Sequence, residues 1–63
     1  MITKQVKLKL VGLDGNAFSL MGAFQQKARR DGWTQEEVSE VLNECTKGDY
    51  NHLLRTLMTY CKE

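Results

Sequence analysis

His52, Cys45, Cys61 and the carboxylates Glu36, Glu37, Glu40 and Glu44 are the side chains of this 63-residue sequence that could shuttle a proton, attack an electrophile or ligate a metal. Catalysis needs such groups to converge, as a nucleophile beside a base, two facing carboxylates, or a cluster of ligands. The spacing predicts none of these. His52 is the single histidine, has Arg55 and Thr56 rather than His or Cys at i+3 and i+4, and reads as a helix histidine satisfied locally. Cys45 and Cys61 form no CxxC pair and are too few for a disulfide framework, so they read as two reduced, buried, small apolar side chains. A bridge between them requires the elements that carry them to face each other at the same depth. Glu37, Glu40 and Glu44 follow the i, i+3, i+4 spacing of a helix surface stripe, which suits a solvated or partner-facing edge. The expectation is a non-enzymatic chain with no catalytic residue, no cofactor and no metal site.

The remaining chemistry is charge. Residues 1–30 carry Lys4, Lys7, Lys9, Lys27, Arg29 and Arg30 against Asp14, a net +5, and residues 31–63 carry a net −4 within an overall +1. Such a dipole can steer a polyanion to one face or match two ends of a self-associating pair. The Asp14-Gly15-Asn16 segment leads into a helix N-terminus, where free amides could hold an anion, but it lacks the glycines and the lysine of a phosphate loop and reads as a tight turn.

The elements that must position these groups follow from periodicity. Between Lys4 and Leu10, Val6, Leu8 and Leu10 alternate with Gln5, Lys7 and Lys9, the period-2 signature of a strand buried on one face. Gly12 to Asn16 ends it with turn chemistry. Ala17, Leu20, Met21, Phe24 and Ala28 give a helix from near Asn16 to about Arg30, stopped by Gly32 at C′; Gly22 inside it costs about 1 kcal/mol and is expected to admit a close backbone neighbour. Thr34 and Glu37 form a capping box, with Trp33 and Val38 as its hydrophobic staple, for a second helix whose buried face is Val38, Val41, Leu42 and Cys45 and which Lys47-Gly48 closes. Asp49 caps a third helix with the stripe Tyr50, Leu53, Leu54, Leu57, Met58 and Cys61. A lone strand leaves its N–H and C=O groups unpaired. It must pair with the C-terminal tail at 60–63 or with the same strand of a second copy.

Strand, helix and helix joined through Gly32-Trp33-Thr34 resemble the ribbon-helix-helix DNA-binding proteins. That resemblance implies a dimeric repressor whose two-chain ribbon enters the major groove with Gln5, Lys7 and Lys9 as nucleic-acid-binding readers. A second resemblance covers nearly the whole chain: Asp14-Gly15-Asn16-Ala17-Phe18 and Gly48-Asp49-Tyr50-Asn51-His52-Leu53-Leu54 are similar to the DGNAF and GDYxHLL segments of a group of small bacterial and phage-borne proteins. It implies a self-contained accessory protein and brings no activity with it.

A domain this short buries only about 60% of the surface its unfolded chain exposes, which raises the expectation of a partner. The longest uncharged run, between Asp14 and Lys27, is broken by Asn16, Ser19, Gln25 and Gln26, so neither a membrane span nor a signal core is expected and the chain reads as cytoplasmic. The sequence therefore predicts one α+β domain over residues 1–63, an N-terminal β-strand followed by three short α-helices, with a short C-terminal strand as the intrachain option for pairing. Its core is expected from Val6, Leu8, Leu10, Phe18, Leu20, Met21, Phe24, Trp33, Val38, Val41, Leu42, Tyr50, Leu53, Leu54, Leu57 and Met58. The expected function is that of a small binding or adaptor protein acting through protein contacts or self-association, with dimeric DNA binding as the alternative.

Overall fold

The structure, a computed structural model, describes residues 4–10 and 15–62. Gly12, Leu13 and Asp14, part of the expected turn, lie outside the described residues. Chain order is β1 (Val6–Lys7), α1 (Ala17–Arg30), α2 (Gln35–Cys45), α3 (Tyr50–Tyr60) and β2 (Cys61–Lys62). The protein is thus mixed α+β and mostly helical. The orphan strand is paired within the chain: β1 and β2 run parallel with Val6 opposite Cys61 and Lys7 opposite Lys62, and Leu8 N–H donates to the Lys62 carbonyl at 2.9 Å. Parallel neighbours need a long crossover, and here the three helices are that crossover.

Each helix start is a local hydrogen bond encoded in sequence. Asn16 Oδ1 accepts from Phe18 N–H, Asp49 Oδ1 accepts from His52 N–H, and the Thr34/Glu37 capping box closes in both directions. Glu37 does more than cap. Its Oε1 also accepts from Lys4 Nζ at 2.9 Å, pinning the residues before β1 to the start of α2; these bonds, Lys4 first, hold the Glu37 carboxyl below the ordinary carboxylate range. Gly32 ends α1 at φ +92°, a conformation that only glycine adopts without strain.

Val6, Phe24, Ala28 and Leu57 are fully buried, with Val41 and Cys45 nearly so. Trp33 lies edge-on to Phe24 at 5.4 Å and to Tyr60 at 6.3 Å, joining α1 to α3 through the staple residue before α2. Leu8, Leu10, Met21, Leu42 and Leu54 pack on this core half-buried.

Three expected core residues are not in it. Phe18 is 80% exposed, Met58 65% and Tyr50 44%. Phe18 falls on the side of α1 opposite Leu20, Phe24 and Ala28, so burying that stripe turns it outward. On α3, Thr56 is buried where Met58 was expected; its hydroxyl donates to the His52 carbonyl at 2.9 Å, which removes the cost of burying it. Tyr50 stays at the rim because its hydroxyl donates to the Gly15 carbonyl, joining the start of α3 to the turn before α1. The glycines also exchange roles. Among the described residues a Cβ at Gly22 would meet nothing within 4 Å, so none of their backbone approaches there. A Cβ at Gly48 would lie 2.9 Å from the Cβ and Cγ of His52, whereas Thr46, not a left-handed Gly48, caps α2.

Candidate interaction surfaces

Of the residues with catalytic chemistry, His52, Glu37 and Glu44 are engaged in hydrogen bonds and ion pairs, while Glu36 and Glu40 are exposed. His52 Nε2 lies 2.8 Å from the Glu44 carbonyl, which can only accept, so Nε2–H donates and the ring bridges α3 back to the end of α2 over Gly48. Glu44 also faces His52 Nε2 at 3.4 Å and Lys47 at 3.2 Å, and Glu37 is held by Lys4 and Thr34. Cys45 and Cys61 are free, buried members of one core cluster. Burial pushes both thiols up, Cys61 to about 11 with Cys45 adding to the shift, which disfavours the thiolate form. Among the described residues no three His, Cys, Asp or Glu side chains are grouped to hold a metal ion.

A depression of about 780 Å³ runs between α2 and α3 past Glu40, Glu44, His52, Arg55, Thr59 and Tyr60. The Thr59 hydroxyl donates to the Arg55 backbone carbonyl and Glu44 engages both His52 and Lys47, whereas among the described residues the Glu40 carboxylate and the Arg55 guanidinium have no ion-pair partner.

The ribbon carries the second surface. Lys7 and Lys9 are exposed on the face opposite Val6, as the alternation predicts, and the register sets Lys7 opposite Lys62. Among the described residues neither Lys7, Lys9 nor Lys62 has a carboxylate partner, whereas Lys4, Lys27 and Lys47 each have one. Like charges directly opposite on a sheet are destabilising. Gln5 is placed differently from the two lysines, since its amide donates to the Thr59 carbonyl at 2.9 Å and holds β1 against the end of α3.

The third surface was not read from sequence. Phe18, Gly22, Gln25 and Arg29 stand at i, i+4, i+7 and i+11 of α1, which places them on one line along the helix, and all four are exposed. A shallow groove of about 530 Å³ follows this line and is bordered by Gly22, Gln25, Gln26, Arg29 and Arg30. Neither arginine has a carboxylate partner among the described residues. The signal was present as a second, outward period in α1 running from an aromatic to a cation, but it was masked by the stronger apolar stripe on the buried side. Among the described residues no helix is long and apolar enough to cross a membrane. In comparisons with known proteins, no family model, no curated protein and no solved structure matches the chain.

Proposed function

We propose that this chain is a small non-enzymatic binding or adaptor protein that acts through protein contacts, and that the outward face of α1 is its contact surface. One observation carries the reading: α1 exposes 80% of a phenylalanine one turn from a glycine with open space above it. Each is a cost without an intramolecular return. An exposed phenylalanine forgoes about 1.5–3 kcal/mol of burial, and a mid-helix glycine costs about 1 kcal/mol against alanine. A partner that covers Phe18 and approaches closely over Gly22 accounts for both. The chemistry-bearing side chains favour the same reading, since His52, Glu37 and Glu44 are held in structural bonds. The test is a photo-reactive side chain at position 18 in cells, with a matched one at the exposed Ser39 of α2. Crosslinks to a defined protein from position 18 but not from 39 support the reading; equal crosslinking, or none, refutes it.

A second reading, nucleic-acid binding through the ribbon, is favoured by the uncompensated Lys7, Lys9 and Lys62. In that case duplex affinity falls steeply with salt and the Lys7→Ala/Lys9→Ala double variant abolishes it. Affinity that is absent at low salt excludes it.

A further inference from the structure

We infer that the occupant of the α1 face is a second copy of this chain, the two α1 helices packing antiparallel about a two-fold axis that passes close to Gly22. The inference rests on the reading of α1 as the contact surface and adds the identity of the partner.

The face has three features in linear order: Phe18 toward the N-terminal end, Gly22 in the middle with nothing within 4 Å of a built Cβ, and Arg29 toward the C-terminal end without a carboxylate partner. A two-fold axis at Gly22 sets residue 22+k of one copy opposite 22−k of the other, so the aromatic end of each helix meets the cationic end of its mate. An isologous contact requires this self-complementarity. The distances agree. At 1.5 Å rise per residue, Phe18 lies about 6 Å and Arg29 about 10 Å from the axis along the helix. Helical side chains lean toward their own N-terminus. This carries the Arg29 guanidinium back toward the axis and the opposite copy's Phe18 ring away from it, so both arrive about 8 Å out, where guanidinium can stack on the ring face. Gly22 is the crossing point, where the absent side chain lets the backbones approach.

The alternative orientation fails on charge. Parallel packing would set the Arg29-Arg30 ends of both copies together, with the adjacent Asp31 already paired to Lys27, whereas the antiparallel arrangement holds the two Arg29 guanidinium groups about 16 Å apart, beyond the screening length in physiological salt. The helix dipole accounts for cations at the end of α1. It accounts for neither an exposed phenylalanine nor a glycine at the centre. The face of one 14-residue helix is small, so the contact belongs with the weak, reversible ones.

The experiment is sedimentation or light scattering on the full chain from about 5 μM to about 1 mM, a range spanning weak self-association, with two companion variants at exposed positions, Phe18→Asp and Gly22→Gln. The expected result is an apparent mass that climbs from 7.2 kDa toward twice that value, lost in both variants while their helical circular dichroism is retained. The symmetry has its own readout. Under oxidised glutathione a Gly22→Cys chain forms a covalent dimer, because only a residue on the axis meets itself; Phe18→Cys alone does not, and Phe18→Cys mixed with Gln26→Cys forms the heterodimer. A wild-type chain that stays monomeric at about 1 mM overturns the second-copy inference and leaves the contact-surface reading standing on the position-18 crosslink to a foreign protein. A dimer that survives both variants, or whose Gly22→Cys form does not crosslink, overturns the inference by placing the contact elsewhere.

Discussion

Replacing Gly22 with alanine should stabilise the isolated chain. The substitution gains the helix-propensity difference between glycine and alanine, about 1 kcal/mol in a helix interior. Two offsets can cancel that gain, a steric clash or a required left-handed φ, and Gly22 has neither: nothing lies within 4 Å of the new methyl, and the residue sits inside α1 with ordinary helical φ. The methyl points to solvent and adds little burial. In a domain of this size about 1 kcal/mol corresponds to a rise of roughly 4–8 °C in Tm. The assay is thermal and urea unfolding followed by circular dichroism at a few μM, where the α1 face is unoccupied by the weak contact proposed above. The same measurement on two other glycines supplies the contrast. Gly48→Ala drives a methyl to 2.9 Å from His52 and Gly32→Ala imposes a side chain at φ +92°, so both destabilise. A neutral or negative Gly22→Ala at this dilution would refute the reasoning, because it would mean that something inside the folded monomer already occupies the space above the glycine.

Tyr50→Phe removes the hydroxyl that donates to the Gly15 carbonyl and should cost about 1 kcal/mol, read as a lower urea midpoint at unchanged m-value. Glu37 has a folded pKa below 4.5, so the stability it contributes is present above that pH and is lost as pH falls through the lower folded value; Glu37→Gln should flatten the acid limb of a stability–pH curve and converge with wild type in strong acid. Cys61, pushed up to about 11 from 9.0, behaves in the opposite sense: its stabilisation is complete below pH 9 and fades between 9 and 11 as the unfolded chain alone loses the proton. Comparing alkaline urea midpoints of wild type and Cys61→Ala isolates this slope, and parallel curves would show that the thiol does not report burial.

What could be read from the sequence was what is decided within a few residues. The start of α2 was legible because Thr34 and Glu37 satisfy each other's backbone donors three residues apart, and the start of α3 because Asp49 reaches the amide of His52. The need for a strand partner was legible because an unpaired strand is costly, but the parallel match of Val6 with Cys61 was not, since it depends on how three helices fold back. Lys4–Glu37 and Tyr50–Gly15 were invisible for the same reason, spanning 33 and 35 residues.

The misreadings are not scattered evenly. Met58 was displaced by Thr56 through a local hydroxyl bond, and Gly48 owes its place to the His52 ring, so each has its reason inside the molecule. Phe18 and Gly22 do not: one was expected in the core and is exposed, the other was expected under a neighbouring backbone and has none, and they stand one helical turn apart on the same line of α1. Natural sequences are locally consistent, and where local rules fail without compensation the reason tends to be functional. A partner seated on α1, as proposed above, would restore both rules at once by burying the phenylalanine and occupying the space above the glycine, and it would leave Leu20, Phe24 and Ala28 in the core.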